Sequence, residues 1–237
     1  MKNVFAVMAG ISLLAALSFA GVADTHLTGP ANPSGSGWYG YSDEVLVDNL
    51  ATSSGQIANG YSASTIGGSY NRWVAFDYTP PVASTLEKIS IHWLYNNSTS
   101  SLGDVRYQII KGTDPGVGSV VSTFTVLKGS ITEVNTGMMA FSRILFRGDM
   151  PLPNVKLDAK TKYWLAQQMV CTDNVFFAVR TDSIKEEMCW WYGDTRVWQS
   201  SQTAFSQVAE QSYRLEGIGS GVGVSAASFG KIKSLYY

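Results

Sequence analysis

Three observations predict an all-β fold, an antiparallel β-sandwich of jelly-roll type. Apolar and polar residues alternate with a period of two in one segment after another. Clusters of Gly, Pro, Asn and Asp separate these segments at short intervals, and no apolar stripe persists at helical spacing. In chain order, Val74, Phe76 and Tyr78 alternate with Trp73, Ala75 and Asp77. Over 87–95, Ile89, Ile91, Trp93 and Tyr95 share one face, and Lys88, Ser90 and His92 the other. Val105, Tyr107 and Ile109 then alternate with Arg106 and Gln108. Further β-branched or aromatic runs fall at 163–170, 175–181, 188–192 and 212–218. Turns are expected at Thr79-Pro80-Pro81, Asn96-Asn97-Ser98, from Gly112 to Gly116, and at Gly148-Asp149, Asp158-Ala159-Lys160 and Thr172-Asp173-Asn174. Residues 201–210 are the best helical candidate.

The ends read differently from this body. Lys2 precedes an almost wholly apolar or small run from Val4 to Phe19, and Gly21-Val22-Ala23 supplies small residues before Asp24, the pattern of a secretory signal peptide over 1–23. Residues 24–43 form an irregular lead-in rich in Gly, Pro, Ser and Asn, and 44–218 form the sandwich domain. From 219 to 237 a Gly/Ser/Ala linker leads to a short basic-aromatic tail, Lys231 to Tyr237. No other segment is long and apolar enough for a membrane span in the mature chain.

Composition narrows the function classes. The 237 residues carry 17 basic and 18 acidic side chains, a net charge of −1, with no block of like charge, so a nucleic-acid partner is not expected. Only 15% of residues are charged and 12% are aromatic, which argues against disorder of the body. Two cysteines are too few for a disulfide miniprotein, but in an oxidising compartment Cys171 and Cys189 are expected to pair.

The order of Asp48-Asn49-Leu50, Trp73-Val74-Ala75-Phe76, Leu86 to Tyr95, Tyr163-Trp164-Leu165, Trp190-Trp191-Tyr192, Trp198 and Tyr213-Arg214-Leu215-Glu216-Gly217 resembles bacterial secreted jelly-roll domains of the choice-of-anchor type. The resemblance covers about residues 44–218, is one of pattern, and implies an exported sandwich with a C-terminal attachment tail. It implies no activity, because such domains are mostly of unassigned function.

Catalytic spacings are missing. There is no His-Glu-x-x-His, no Cys-x-x-Cys and no Gly-x-Ser-x-Gly, and only His26 and His92 offer an imidazole. Glu186 and Glu187 are adjacent, so in a strand they point to opposite faces. Asp77, Glu87, Asp104 and Asp182 would have to converge in the fold to make a hydrolytic pair. The chain is therefore read as non-enzymatic and without a cofactor. A structural calcium among the loop oxygens near Asp43, Glu44 and Asp48, or at Asp114, is the one ion the composition leaves room for.

The aromatics carry the positive signal. In extended Cys189-Trp190-Trp191-Tyr192, a core-facing Cys189 and Trp191 place Trp190 and Tyr192 on the opposite face, outward or beneath a long loop. Trp190, Tyr192 and Trp198 are the candidate platform for a sugar ring, with Asp194 and Arg196 as hydroxyl partners. The expected role is a secreted protein that binds a polysaccharide or attaches to a cell-surface component. A structural envelope or matrix protein is the alternative, and a carbohydrate-active enzyme a more distant one.

Overall fold

The computed structural model describes residues 44–65, 71–97, 100–171 and 173–219. The expected signal peptide, the lead-in with His26 and Asp43, and the tail beyond Gly219 lie outside the described residues. The strands are β1 (Glu44–Asp48), β2 (Asn59–Ser62), β3 (Trp73–Tyr78), β4 (Ser84–Tyr95), β5 (Asp104–Lys111), β6 (Ser119–Val126) and β7 (Thr132–Ala140). They continue with β8 (Arg143–Leu157), β9 (Tyr163–Val170), β10 (Val175–Arg180), β11 (Trp190–Tyr192), β12 (Trp198–Ser200), β13 (Glu210–Gln211) and β14 (Tyr213–Gly219). Within the expected helical stretch only one turn forms, α1 (Ser201–Phe205), capped by Ser200, whose side chain accepts the Thr203 N–H. A one-turn helix of this length survives on its caps and on tertiary contact rather than on propensity.

Two antiparallel sheets pack face to face. The six-stranded sheet runs β12-β11-β3-β9-β5-β6. In the eight-stranded sheet, β4 is the centre: β8 and then β7 lie along one edge, while β14 and β10 share the other. β1 flanks β14, and β2 and β13 flank β10. Ser212 is where three strands meet, since its N–H donates to the Ala178 carbonyl and its carbonyl accepts from His92 N–H.

The alternation read from sequence becomes the core. Val74, Phe76 and Tyr78 from one sheet meet Ile89, Ile91, Trp93, Tyr213 and Leu215 from the other. Phe76 and Tyr213 stack across the interface with ring centroids 3.8 Å apart, and the Tyr213 hydroxyl donates to the Asp77 carbonyl. Stacked pairs of this kind add about 0.5–1.5 kcal/mol beyond the area they bury.

Two expectations are corrected. Gly148-Asp149 is not a turn but the middle of β8, paired with Ile91 and Ser90 of β4. Gly148 is there because the Trp93 indole lies across it: an added Cβ would sit 1.8 Å from Trp93 Cη2. The hairpin instead turns at Phe141 and Ser142, with φ of 53° and 59°. That is the positive-φ pair of a two-residue hairpin without the glycine or asparagine that normally announces it. The expected Cys171–Cys189 disulfide is also absent, and both thiols are free. Cys189 precedes Trp190, which pairs with Ala75 beside Ala166, whereas Cys171 leaves the far end of β9. The stretch of β9 between those levels is about 16–20 Å of extended chain at ~3.3 Å per residue. A disulfide tolerates a Cα separation of only about 7 Å.

Candidate functional site

The outer face of the six-stranded sheet is set by register. One row crosses it as Trp198, Tyr192 and Trp73, paired in that order through β12, β11 and β3. Beyond β3 the same row continues on this face through Gln168, Arg106 and Thr125 on β9, β5 and β6. The next row reads Ser200, Trp190, Ala75, Ala166, Gln108 and Thr123. A third reads Asp77, Trp164, Ile110 and Val120. Aromatic side chains thus crowd one half of the face, and polar ones the other.

A loop divides this face into covered and open parts. Residues 112–118, joining β5 to β6, fold back over the sheet. The Trp164 indole N–H donates to the Gly112 carbonyl at 3.1 Å, and a Cβ on Gly116 would lie 3.6 Å from that of Trp198. Asp114 holds the loop in shape by accepting the Gly116 and Val117 N–H groups. Beneath it Trp164, Ala75, Ala166 and Ile110 form a small second core, with Trp73, Trp190 and Trp198 packed around its margin. Trp190 meets Trp164 edge-on at 6.0 Å, and Tyr192 meets Trp198 at 5.6 Å.

The sequence-predicted platform residues therefore do come together on one outward face, each half-buried. Trp191 packs on the main core beside buried Cys189, as the alternation requires. Asp194 is engaged otherwise: Arg72 grips both its oxygens, at 3.0 and 2.8 Å, and holds its carboxyl below the usual range. The pair ties the β11–β12 turn to the start of β3. Arg196 is exposed on that turn at a φ of 57°.

The open half was missed from sequence. Arg106, Gln108, Thr123 and Thr125 floor a depression of about 390 Å³, and Trp73 stands against it. The Trp73 indole N–H donates to Asn71, which also accepts from Gln168, so ring and neighbouring amide are held together. Alternation opposite Val74, Val105 and Tyr107 was the signal that could have found Trp73, Arg106 and Gln108. The floor offers guanidinium donors, an amide with both polarities and two hydroxyls, which suits a polyhydroxylated ligand.

The other groups considered for chemistry are sequestered or separate. His92, 2% exposed, sits under residues 49–58, and its Nδ1 faces the Ser212 hydroxyl at 2.9 Å. That hydroxyl also accepts the Ala51 N–H, so it links the imidazole to the covering segment. Burial, with Arg147 nearby, pushes the His92 pKa down to about 4. Asp77 and Glu210 are both fully buried. Asp77 takes the Lys162 ammonium and the Glu187 N–H, while Glu210 accepts the Lys185 N–H, so the two carboxylates tether the segment before β11. Burial, with Asp77 nearby, pushes Glu210 up to about 8. Asp104 caps Lys128, and Asp182 pairs with Arg180. Among the described residues no three His, Cys, Asp or Glu side chains gather as a metal site; Asp48 is taken by Arg214. Among them, too, no helix is long and apolar enough to cross a membrane. No family model and no curated protein sequence matches the chain.

Proposed function

We propose that this is a non-enzymatic extracellular sandwich protein that binds polysaccharide, or a saccharide of the cell surface, on the outer face of its six-stranded sheet. One observation carries the reading: Trp198, Tyr192 and Trp73 stand in a row and run directly into the open polar floor of Arg106, Gln108, Thr123 and Thr125. An aromatic face accepts the C–H side of a pyranose, and the polar floor exchanges hydrogen bonds with its hydroxyls. The site residues are then Trp73, Arg106 and Gln108 beside Tyr192 and Trp198, with Trp190 supporting them and Asp194 positioning the turn that carries Arg196. The reading includes export, with residues 1–23 as a leader whose removal starts the mature chain at Asp24, Gly21 being the alternative start. Intact mass of secreted protein tests this, and a retained Met1 overturns it.

Trp73→Ala and Arg106→Ala should each lower retention on an insoluble polysaccharide at least tenfold while melting stays cooperative. Unchanged retention across a panel of plant, fungal and bacterial polysaccharides would remove the assignment. The assembly reading has one observation of its own: β6 is an edge strand whose Val120 and Val121 are 53% and 51% exposed, a surface suited to strand-by-strand addition. Concentration-dependent polymers lost on Val121→Lys would favour it. The enzymatic reading has no such support: Asp77 and Glu210 are both buried, and Glu187, which shares Lys162 with Asp77, is held in that ion pair.

A further inference from the structure

A second cleft, of about 840 Å³, opens between Asn96, Asn97 and residues 100–102, the helical turn at Lys128–Ser130 and the β7–β8 hairpin. Its aromatic wall is Tyr95 and Phe146, whose rings meet at 5.1 Å and 59°. Beside them stands Glu133, an exposed residue of β7 whose carboxylate is held from one side only. Its Oε1 accepts both the Trp93 indole N–H, at 3.0 Å, and the Tyr95 hydroxyl. The arrangement depends on Gly148, the β8 partner of Glu133, because its missing side chain lets the Trp93 ring cross β8 to reach that oxygen. With both donors on Oε1, Oε2 is the oxygen left to meet a ligand.

We propose that this cleft binds a ligand bearing a protonated amine on a compact ring, as in an amino sugar. A carboxylate fixed beside two aromatic rings complements positive charge twice, through the ion pair and through the ring faces. The amides of Asn96 and Asn97 and the Ser100 hydroxyl donate to Asp173, so these donors are engaged, and among the residues lining the cleft Glu133 supplies the carboxylate. Two cations also line it. The Arg143 guanidinium lies 5.5 Å over the Phe176 ring, and Lys128 is exposed at the mouth, where it opposes a cationic ligand weakly through solvent.

The test is titration of the full secreted chain with a glucosamine oligomer and with its N-acetylated counterpart of equal length, which differ at the amine. The glucosamine oligomer should bind at least tenfold more tightly and should move the Trp93 indole N–H resonance. Glu133→Gln should abolish that preference. Lys128→Ala should tighten binding. Equal affinity for the two oligomers, a silent Trp93 signal in the unaltered protein, or weaker binding after Lys128→Ala would each overturn the proposal. A loss confined to Trp73→Ala would assign the binding to the first face alone.

Discussion

On the outer face of the eight-stranded sheet, His92, Ser212 and Arg180 are buried beneath residues 49–58. On the outer face of the six-stranded sheet, Trp73, Tyr192 and Trp198 remain half-exposed. Polar groups are inside and aromatic groups partly outside. The difference lies in what each covering segment offers. Residues 49–58 bring backbone groups that need partners: Arg180 donates to the Asn49 and Leu50 carbonyls, and Ser212 accepts the Ala51 N–H. Ile57 and Ala51 then pack on Leu94, Leu145 and Ala178, so the cover is complete. The 112–118 loop is shorter and reaches only part of its sheet, sealing Trp164 and leaving the Arg106 side open. The polar face is covered, whereas the aromatic face is only half covered, the difference on which the proposed binding site rests.

The sharpest way to break this comparison is to truncate one tryptophan on each side of the loop's edge. Trp164→Ala should cost about 3–5 kcal/mol by denaturant unfolding, since it empties a sealed site. Trp73→Ala should cost about 1 kcal/mol, nearer the range of surface changes. Equal losses would mean that the two rings are equally core and that no open face exists.

The next effect is in acid. His92 titrates near 4 in the fold and near 6.5 when unfolded, so below pH 6.5 the unfolded chain takes the proton first. Stability from this group is complete above pH 6.5 and lost as pH falls toward 4, by on the order of 3 kcal/mol in all. His92→Gln should flatten that window, and an unchanged slope in urea titrations from pH 7 to 4 would show that residues 49–58 do not seal the imidazole.

Smaller again, Ser212→Ala leaves the Ala51 N–H and the His92 Nδ1 without their shared partner. It should cost about 1–3 kcal/mol and speed exchange of the Ala51 amide. Smallest, Asp114→Ala removes the acceptor for two loop N–H groups and should cost about 1 kcal/mol. Its clearer readout is fluorescence, because loosening 112–118 should make Trp164 and Trp190 more accessible to a quencher.

β5 and β14 were legible because one face is core and the other is less buried, whereas β3, β9 and β10, buried on both faces, were legible as runs of β-branched and aromatic residues between turn signals. β11 was legible as the aromatic run at 188–192, and other elements were hidden for separate physical reasons. Most side chains of β6 and the first half of β7 are exposed or half-exposed, so they lack an apolar period. β8 carries Pro151 and Pro153 at a bulge against β4, which interrupts its apolar period. Gly148 looked like a turn residue, though it is glycine for the sake of the Trp93 ring.

By itself, then, the sequence determined the all-β class, the two-sided character of the main strands and the outward parity of Trp190 and Tyr192. Each depends on neighbours along one strand, where a period of two decides direction. Tertiary structure alone decided that Cys171 and Cys189 lie at opposite levels of the sheet, and that Trp190 is half-roofed while Trp73 borders open ground. It alone decided that Glu133 is pinned by two rings. Those outcomes depend on which strands are neighbours and how far a loop reaches, distances between residues remote in the chain that no local pattern encodes.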